Sequence, residues 1–318
     1  MTAVGGAIRT LGGQRYGRRP ASGIGVSAIL TTVRLIAAHP LTRDRKLAAF
    51  ARYARWQLES RLRAEVIIPW IAATRLAVRR GMHGATGNIY CGLHEFTEMA
   101  FVLHLLRAGD LFADIGANVG SYTVLAAGVR GARVIAVEPD PSASAALARN
   151  IALNRLGDRV SVKSVAVGAS VGALAFSIGQ DTTNHVVSET DEDHQKVRQT
   201  TADLLFADET PLAMKLDVEG YEAAVLTGAH ATLADPRLKA LIVELNGSGS
   251  RYGFDDQHTH RVLLQCGFGP FDYDPFSRLL AHRAGISNQN TIYVRNPDWV
   301  RHRLRTAPSF LVFNRKIA

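Results

Sequence analysis

Cysteine is almost missing from this sequence: its 318 residues include only Cys91 and Cys266, and neither belongs to a C-x-x-C pair. That scarcity excludes a disulfide scaffold and a thiolate metal site and fits a reducing compartment, with both thiols read as small buried apolar groups. Long apolar runs are missing too. A membrane span needs ~18–20 uninterrupted apolar residues, and the nearest candidates, 27–38 and 67–78, are broken by Arg34 and Arg75. Arg9, Arg15, Arg18 and Arg19 are followed by neither a strong apolar run nor a small-residue cleavage pattern, so no secretory signal is expected and the expected location is cytoplasmic. Acids are scarce at one end. Residues 1–80 hold 15 Lys+Arg against 3 Asp+Glu, whereas the remainder holds 22 against 25. The net charge of +9 therefore belongs to the N-terminal quarter. A cationic segment of this kind suits an anionic substrate, lipid head groups or RNA, or is simply a solvated helical face.

What is present is ordinary for a folded domain. Hydrophobic residues make up 47% and charged residues 20%, enough for one large core with a smaller appended unit. Residues 1–25, rich in Gly, Arg and Ser, are expected to form a flexible basic tail, and 26–92 a helical N-terminal extension. Within it, Leu47, Phe50, Ala54, Leu58 and Leu62 recur at intervals of three and four, which predicts one apolar helix face. A second helix is predicted over 67–79, and 87–92 reads as an extended connection. Another amphipathic helix carries Phe96, Met99, Val102, Leu103 and Leu106.

From residue 111 the rhythm changes. Strands at 111–115, 133–137, 160–167, 212–216 and 240–245 alternate with helical stretches at 119–129, 141–155 and 221–233. That alternation predicts an α/β fold with a parallel sheet covered on both faces. Shorter strands at 268–273, 278–281 and 291–295 look antiparallel. The domain is expected to run over 93–295, with 296–318 as a C-terminal tail.

A glycine-rich turn between the first such strand and its helix is where doubly wound sheets bind nucleotides. This turn reads Asp114-Ile115-Gly116-Ala117-Asn118-Val119-Gly120, a D-x-G-x-x-x-G spacing and not the G-x-G-x-x-G of a dinucleotide site. An acid ahead of the first glycine repels a pyrophosphate but suits the amino group of a methionine moiety. The glycines allow the backbone, Asn118 included, to pass close beneath a cofactor. Glu138 follows 22 residues after Gly116, at a strand end where a carboxylate can accept both ribose hydroxyls. Further on, 214–222 (MKLDVEGYE) places Asp217, Glu219 and Glu222 just beyond another strand, at a crevice rim or as helix caps. Lys215 reads as packing its stem on the sheet, with anchoring of a neighbouring acid as the other use.

Seven blocks match in order and spacing those of the FkbM family of methyltransferases: 114–123 (DIGANVGSYT), 135–139 (IAVEP), 150–154 (NIALN), 165–168 (VAVG), 201–205 (TADLL), 215–222 (KLDVEGYE) and 242–246 (IVELN). The stretches 89–99 (IYCGLHEFTEM), 181–186 (DTTNHV) and 251–254 (RYGF) resemble one branch of that family. Ala202 stands where the family more often has Leu. The resemblance covers roughly 93–250. It implies a Rossmann-like seven-stranded sheet, S-adenosylmethionine as methyl donor, and O-methylation of hydroxyls on polyketides, glycolipids or polysaccharides.

Methyl transfer to a hydroxyl needs the acceptor held in line and its proton removed. Asp217 is the first candidate beside the methyl group, and Glu244 and Asn246 should face the same crevice. That trio also suits a magnesium ion, and His185 is a further candidate base. The expected partner is a small-molecule, glycan-linked or lipid-linked hydroxyl acceptor, with peripheral membrane contact through the basic N-terminal helices as a second interaction. DNA is not expected. An RNA methyltransferase is the first rival, disfavoured by the missing stacking platform. An inactive cofactor-binding interaction protein is another, and a nicotinamide dehydrogenase is disfavoured by the glycine spacing.

Overall fold

The computed structural model describes residues 26–177, 185–187 and 194–318. The expected tail 1–25, and most of the 181–186 block, lie outside the described residues.

The chain opens with helices α1 (Val26–Ala38) and α2 (Lys46–Leu62). Of the predicted apolar face of α2, Phe50 packs on the core but the leucines and Ala54 point the other way. Leu47, Leu58 and Leu62 are 87%, 62% and 74% exposed, while Ala49, Trp56 and Ser60 are buried. Trp56 is buried in the core and Phe50 and Tyr53 pack against the same core, so the aromatic side chains of α2 turn inward and the leucines are left outside.

Residues 67–79 form no helix. They lie in a hairpin of β1 (Val66–Pro69) and β2 (Arg75–Val78), with Val66 opposite Val78 and Pro69 opposite Arg75. Val66, Ile67 and Ile68 are β-branched, and Pro69 would break a helix interior. Conversely, 87–92 is not extended: it falls in and just after α3 (His83–Cys91), despite two internal glycines. Gly87 is held there by contact, because a Cβ on it would lie 2.3 Å from the His94 ring. The extension at 26–92 is therefore helical with one hairpin in it.

Helix α4 (Phe96–Leu105) is buried along most of its length. Next come β3 (Leu111–Ile115), α5 (Ser121–Val124) continuing as a π-turn over Leu125–Val129, β4 (Arg133–Val137), α6 (Pro141–Leu153) and β5 (Val160–Lys163). The start of α6 is fixed by Pro141 and by Asp140, whose carboxylate accepts from the Ala143 amide at 2.7 Å. Asn150 of α6 and Asn154, the cap just after its end, grip β2. Asn150 accepts from the Ala77 amide at 2.8 Å, and Asn154 both accepts from and donates to the Arg75 backbone at 2.8 Å.

A second small sheet follows, formed by β6 (Ala166–Val167), β7 (Gly172–Ser177), β8 (Val186–Val187) and β9 (His194–Thr200) in the order β6-β9-β7-β8. After α7 (Ala202–Leu205), β10 (Ala213–Leu216) returns to the main sheet. The helix predicted over 221–233 is two short helices, α8 (Glu222–Thr227) and α9 (His230–Ala234). Asp203 caps α9 through the Ala231 and Thr232 amides at 3.0 and 2.8 Å. The chain then forms β11 (Ala240–Glu244), α10 (Asp256–Gln265), β12 (Gly269–Asp274), β13 (Leu279–His282) and β14 (Asn290–Val294).

Among the described residues the main sheet has eight strands, one more than the seven expected, in the order β13-β12-β14-β11-β10-β3-β4-β5. Strands β11, β10, β3, β4 and β5 are parallel, and β14 is antiparallel to both β11 and β12. Every residue of β3 and β10 is buried, as a parallel sheet covered on both faces requires. The extra strand is β13, paired to β12 as a hairpin. Residues 296–318, read as a tail, hold α11 (Pro297–Arg305) and a hairpin of β15 (Phe310–Val312) and β16 (Arg315–Ile317). Val300, Leu304, Phe310, Val312 and Ile317 join the main core there. Their spacing is too short for sequence periodicity to reveal. Among the described residues no helix is long and apolar enough to cross a membrane.

Candidate functional site

The parallel strands end their carboxyl edges beside one another, and the glycine turn fills the space between β3, β4 and β10. Gly116 has φ +80°, and a Cβ on it would lie 1.8 Å from the Asp217 carbonyl oxygen. Only glycine lets the turn lie flush against the end of β10. The amides of Gly116 and Ala117 both donate to Val137 O at 3.0 Å. Gly120, at φ +87°, begins α5.

Glu138 straps the turn to β4. One carboxylate oxygen accepts from the Asn118 amide at 2.8 Å and the other from the Asp140 amide at 2.9 Å. Burial pushes its pKa up to about 7, although those amides favour the charged form. Asp114 is 1% exposed and accepts from the Thr123 hydroxyl at 2.6 Å. Burial raises this carboxyl, and the Lys215 ammonium opposes the rise.

Beyond β10 the acids gather. The buried Lys215 donates to Asp217 Oδ2 at 2.5 Å, and its Nζ lies 4.8 Å from the centre of the Tyr122 ring. Burial alone would raise the Asp217 carboxyl, but Lys215 outweighs it and holds the group below its usual range. Glu244, at the end of β11, moves the opposite way because it is buried beside the Asp217 charge, and it hydrogen-bonds to Asp217 as the protonated partner. Glu219 (φ +55°) completes the group, its pKa pushed up to about 7 by burial and by Asp217. Carboxylate oxygens of Asp217, Glu219 and Glu244 lie within 4.8 Å of one another. Glu222 faces away and accepts from the Val218 and Gly220 amides at 3.0 and 3.3 Å, so this acid is a turn cap.

These groups wall a cavity of about 290 Å³. Of the residues singled out in the sequence, Asp114, Gly116, Asn118, Glu138, Asp217 and Glu244 line it. Gly120 shapes the turn without reaching the wall. His185 sits beside β7, its amide on the Ser177 hydroxyl at 2.9 Å, and only its neighbour Val186 lines the cavity. Asn246 is exposed, and its amide oxygen accepts from the Ser248 amide at 2.9 Å. The expected trio of Asp217, Glu244 and Asn246 is therefore not assembled; Glu219 takes the third place.

Several wall residues were not singled out. Tyr122 donates to Glu95 Oε2 at 2.5 Å, and Asn290 donates to the other Glu95 oxygen at 3.1 Å. Burial, then the Glu95 charge, holds the Tyr122 hydroxyl far above its usual range. Glu95 and His94 come from the 89–99 block, which carried the available signal. Ile115, Val137, Val165, Val167 and Phe176 give the cavity an apolar side.

A family model described as the methyltransferase FkbM domain matches residues 114–270. No curated protein matches the chain by sequence. Among solved structures, a methyltransferase FkbM from Methylobacillus flagellatus KT is 18% identical, with a TM-score of 0.42, and the match covers 66% of this chain. This chain spans about half, 52%, of that protein's length. The precorrin-6y C5,15-methyltransferase from Geobacter metallireducens GS-15 is 11% identical, with a TM-score of 0.38, over 69% of this chain and 93% of the other. The Pyrococcus abyssi tRNA (uracil-54, C5)-methyltransferase, solved with S-adenosyl-L-homocysteine, is 7% identical with a TM-score of 0.41, over 73% and 44%. The glycine turn, the strapping glutamate and the acid cluster all fall inside the stretch that matches the FkbM methyltransferase domain.

Proposed function

We propose that this protein is an S-adenosylmethionine-dependent methyltransferase that O-methylates a hydroxyl of a sugar, glycolipid or polyketide-type metabolite. The observation that carries the reading is the convergence on one cavity of the flush Gly116 turn, the buried Glu138 carboxylate and the Asp217 cluster. These residues fit the cofactor. Glu138 accepts one amide on each oxygen and keeps further lone pairs for ribose hydroxyls. Asp114 suits the methionine amino group, and the apolar side around Val137, Val165 and Phe176 suits a base. When bound, the cofactor supplies an electrophilic methyl group on a sulfonium centre.

The protein's own task is to orient an acceptor hydroxyl and take its proton. Asp217, kept ionised by Lys215, accepts the hydroxyl's hydrogen bond. Glu219, with a pKa at about 7, is better matched to receive the proton than the lowered Asp217 or the already protonated Glu244. Calorimetric titration with S-adenosylmethionine, beside Asp114→Ala and Glu138→Ala, tests the assignment. Losing a charged hydrogen-bonding partner should weaken binding by about 10- to 100-fold. A folded protein that binds no cofactor would sink it. Labelled methyl transfer to hydroxylated extracts then identifies the acceptor.

A further inference from the structure

Helix α2 carries two apolar faces. One, through Ala49 and Trp56, is buried. The other is the stripe Leu47, Ala51, Ala54, Leu58 and Leu62, all exposed and spaced by threes and fours. Leu47 and Leu62 are the two most exposed large apolar side chains among the described residues, at 87% and 74%. Around the stripe the charge is predominantly positive. Residues 43–63 hold seven Lys and Arg against Asp44 and Glu59. Arg43, Arg45, Lys46, Arg55, Arg61 and Arg63 are exposed.

We infer that the outer face of α2 seats the protein on a membrane surface carrying anionic phospholipid. Leucines on such a helix enter the boundary between headgroups and acyl chains, while arginine stems run along the apolar surface and bring guanidinium groups to the phosphates. Charge complementarity selects this occupant. A second copy docked about a two-fold axis would set the face that carries Lys46, Arg55, Arg61 and Arg63 against another face of the same positive charge. Residues 1–25 carry Arg9, Arg15, Arg18 and Arg19, the same sign as the face they would have to cover. Nucleic acid would pair with the cations but leave the leucines in water, and the stripe has no aromatic ring for a base to stack on.

The seat is joined to the cavity wall through α3. Arg52 donates to Tyr90 O on α3 at 2.7 and 3.1 Å, and the Tyr53 and Tyr90 rings meet edge-on at 5.2 Å. Gly84 of α3 and His94 just after it line the cavity wall. The docking itself does not depend on methyl transfer.

Flotation of the full chain with vesicles tests it. The protein should float with phosphatidylcholine mixed with phosphatidylglycerol and not with phosphatidylcholine alone, and added salt should release it. The variant Leu47→Gln/Leu58→Gln/Leu62→Gln should lose flotation with an unchanged melting temperature. Arg55→Gln and Arg61→Gln should each weaken it on the order of fivefold. Three results overturn the inference: no flotation of the wild type, flotation untouched in all these variants, or a dimer in sedimentation that the leucine variant dissolves.

Discussion

The Lys215 ammonium, two residues before Asp217 on the same strand end, donates to its carboxylate at 2.5 Å and is itself 3% exposed. One buried cation thus serves two acids, because Asp114 also feels it. Lys215→Met should destabilise the fold by about 3–5 kcal/mol, since a buried pair broken on one side leaves an uncompensated charge. The double variant Lys215→Met/Asp217→Asn should recover part of that loss. Thermal melts of the two variants decide the point, and equal losses would show that Lys215 acts by packing alone.

The glycines at 116 and 109 both have positive φ, but only one is crowded. Among the described residues nothing lies within 4 Å of a Cβ at Gly109, whereas the Asp217 carbonyl lies 1.8 Å from one at Gly116. Gly109→Ala should cost only the conformational ~1–2 kcal/mol. Gly116→Ala should cost more and abolish cofactor binding, read by melting and calorimetry on the same samples.

Glu222 is 3% exposed, and burial raises its pKa to about 7. The folded chain keeps this proton at a pH where the unfolded chain has released it. The contribution is therefore fully present below about pH 4 and is lost as pH rises through about 7. Glu222→Gln should remove this dependence, so its melting temperature should gain on the wild type between the two values. A constant difference across that range would refute the assignment.

If Glu219 takes the acceptor proton, activity should rise with pH through about 7, where its carboxyl ionises. Glu219→Gln should lower kcat by about 10²- to 10⁴-fold with cofactor affinity retained. An unchanged pH profile in that variant would move the role elsewhere.

The Lys215 ammonium already supplies positive charge at Asp217. Turnover is accordingly expected to persist in EDTA. Loss in the chelator, restored by magnesium, would show that the three clustered carboxylates take an ion after all.

Much of the site was legible because its chemistry is local in the chain. Gly116 and Glu138 sit at strand ends that the alternation of strand and helix marks out, and both line the cavity. The partners that come from elsewhere were not legible. Glu95 reaches Tyr122 across 27 residues and Asn290 across 195. Asn246 failed for a local reason: its amide oxygen satisfies a turn amide two residues on. In the fold, α2 was found but its inner face was misassigned, because leucine periodicity competed with Trp56 on the opposite side. The hairpin at 66–78 was missed although Pro69 argued against a helix. Residues 296–318 offered short elements whose burial depends on contacts with α4 and its neighbours.

Strand β14 lies between β11 and β12 although it is made after both. On a ribosome, β11 emerges with one open edge, and that edge cannot close until residue 294 has followed. At about 5–20 residues per second the wait for those fifty residues lasts several seconds. Throughout it the buried, apolar segment 240–243 presents an unpaired edge of the kind that recruits other nascent chains. The interval is longest where translation is slowest, so the yield of folded protein should fall when synthesis of residues 245–294 is slowed, whereas slowing synthesis upstream of residue 240 should leave the interval unchanged.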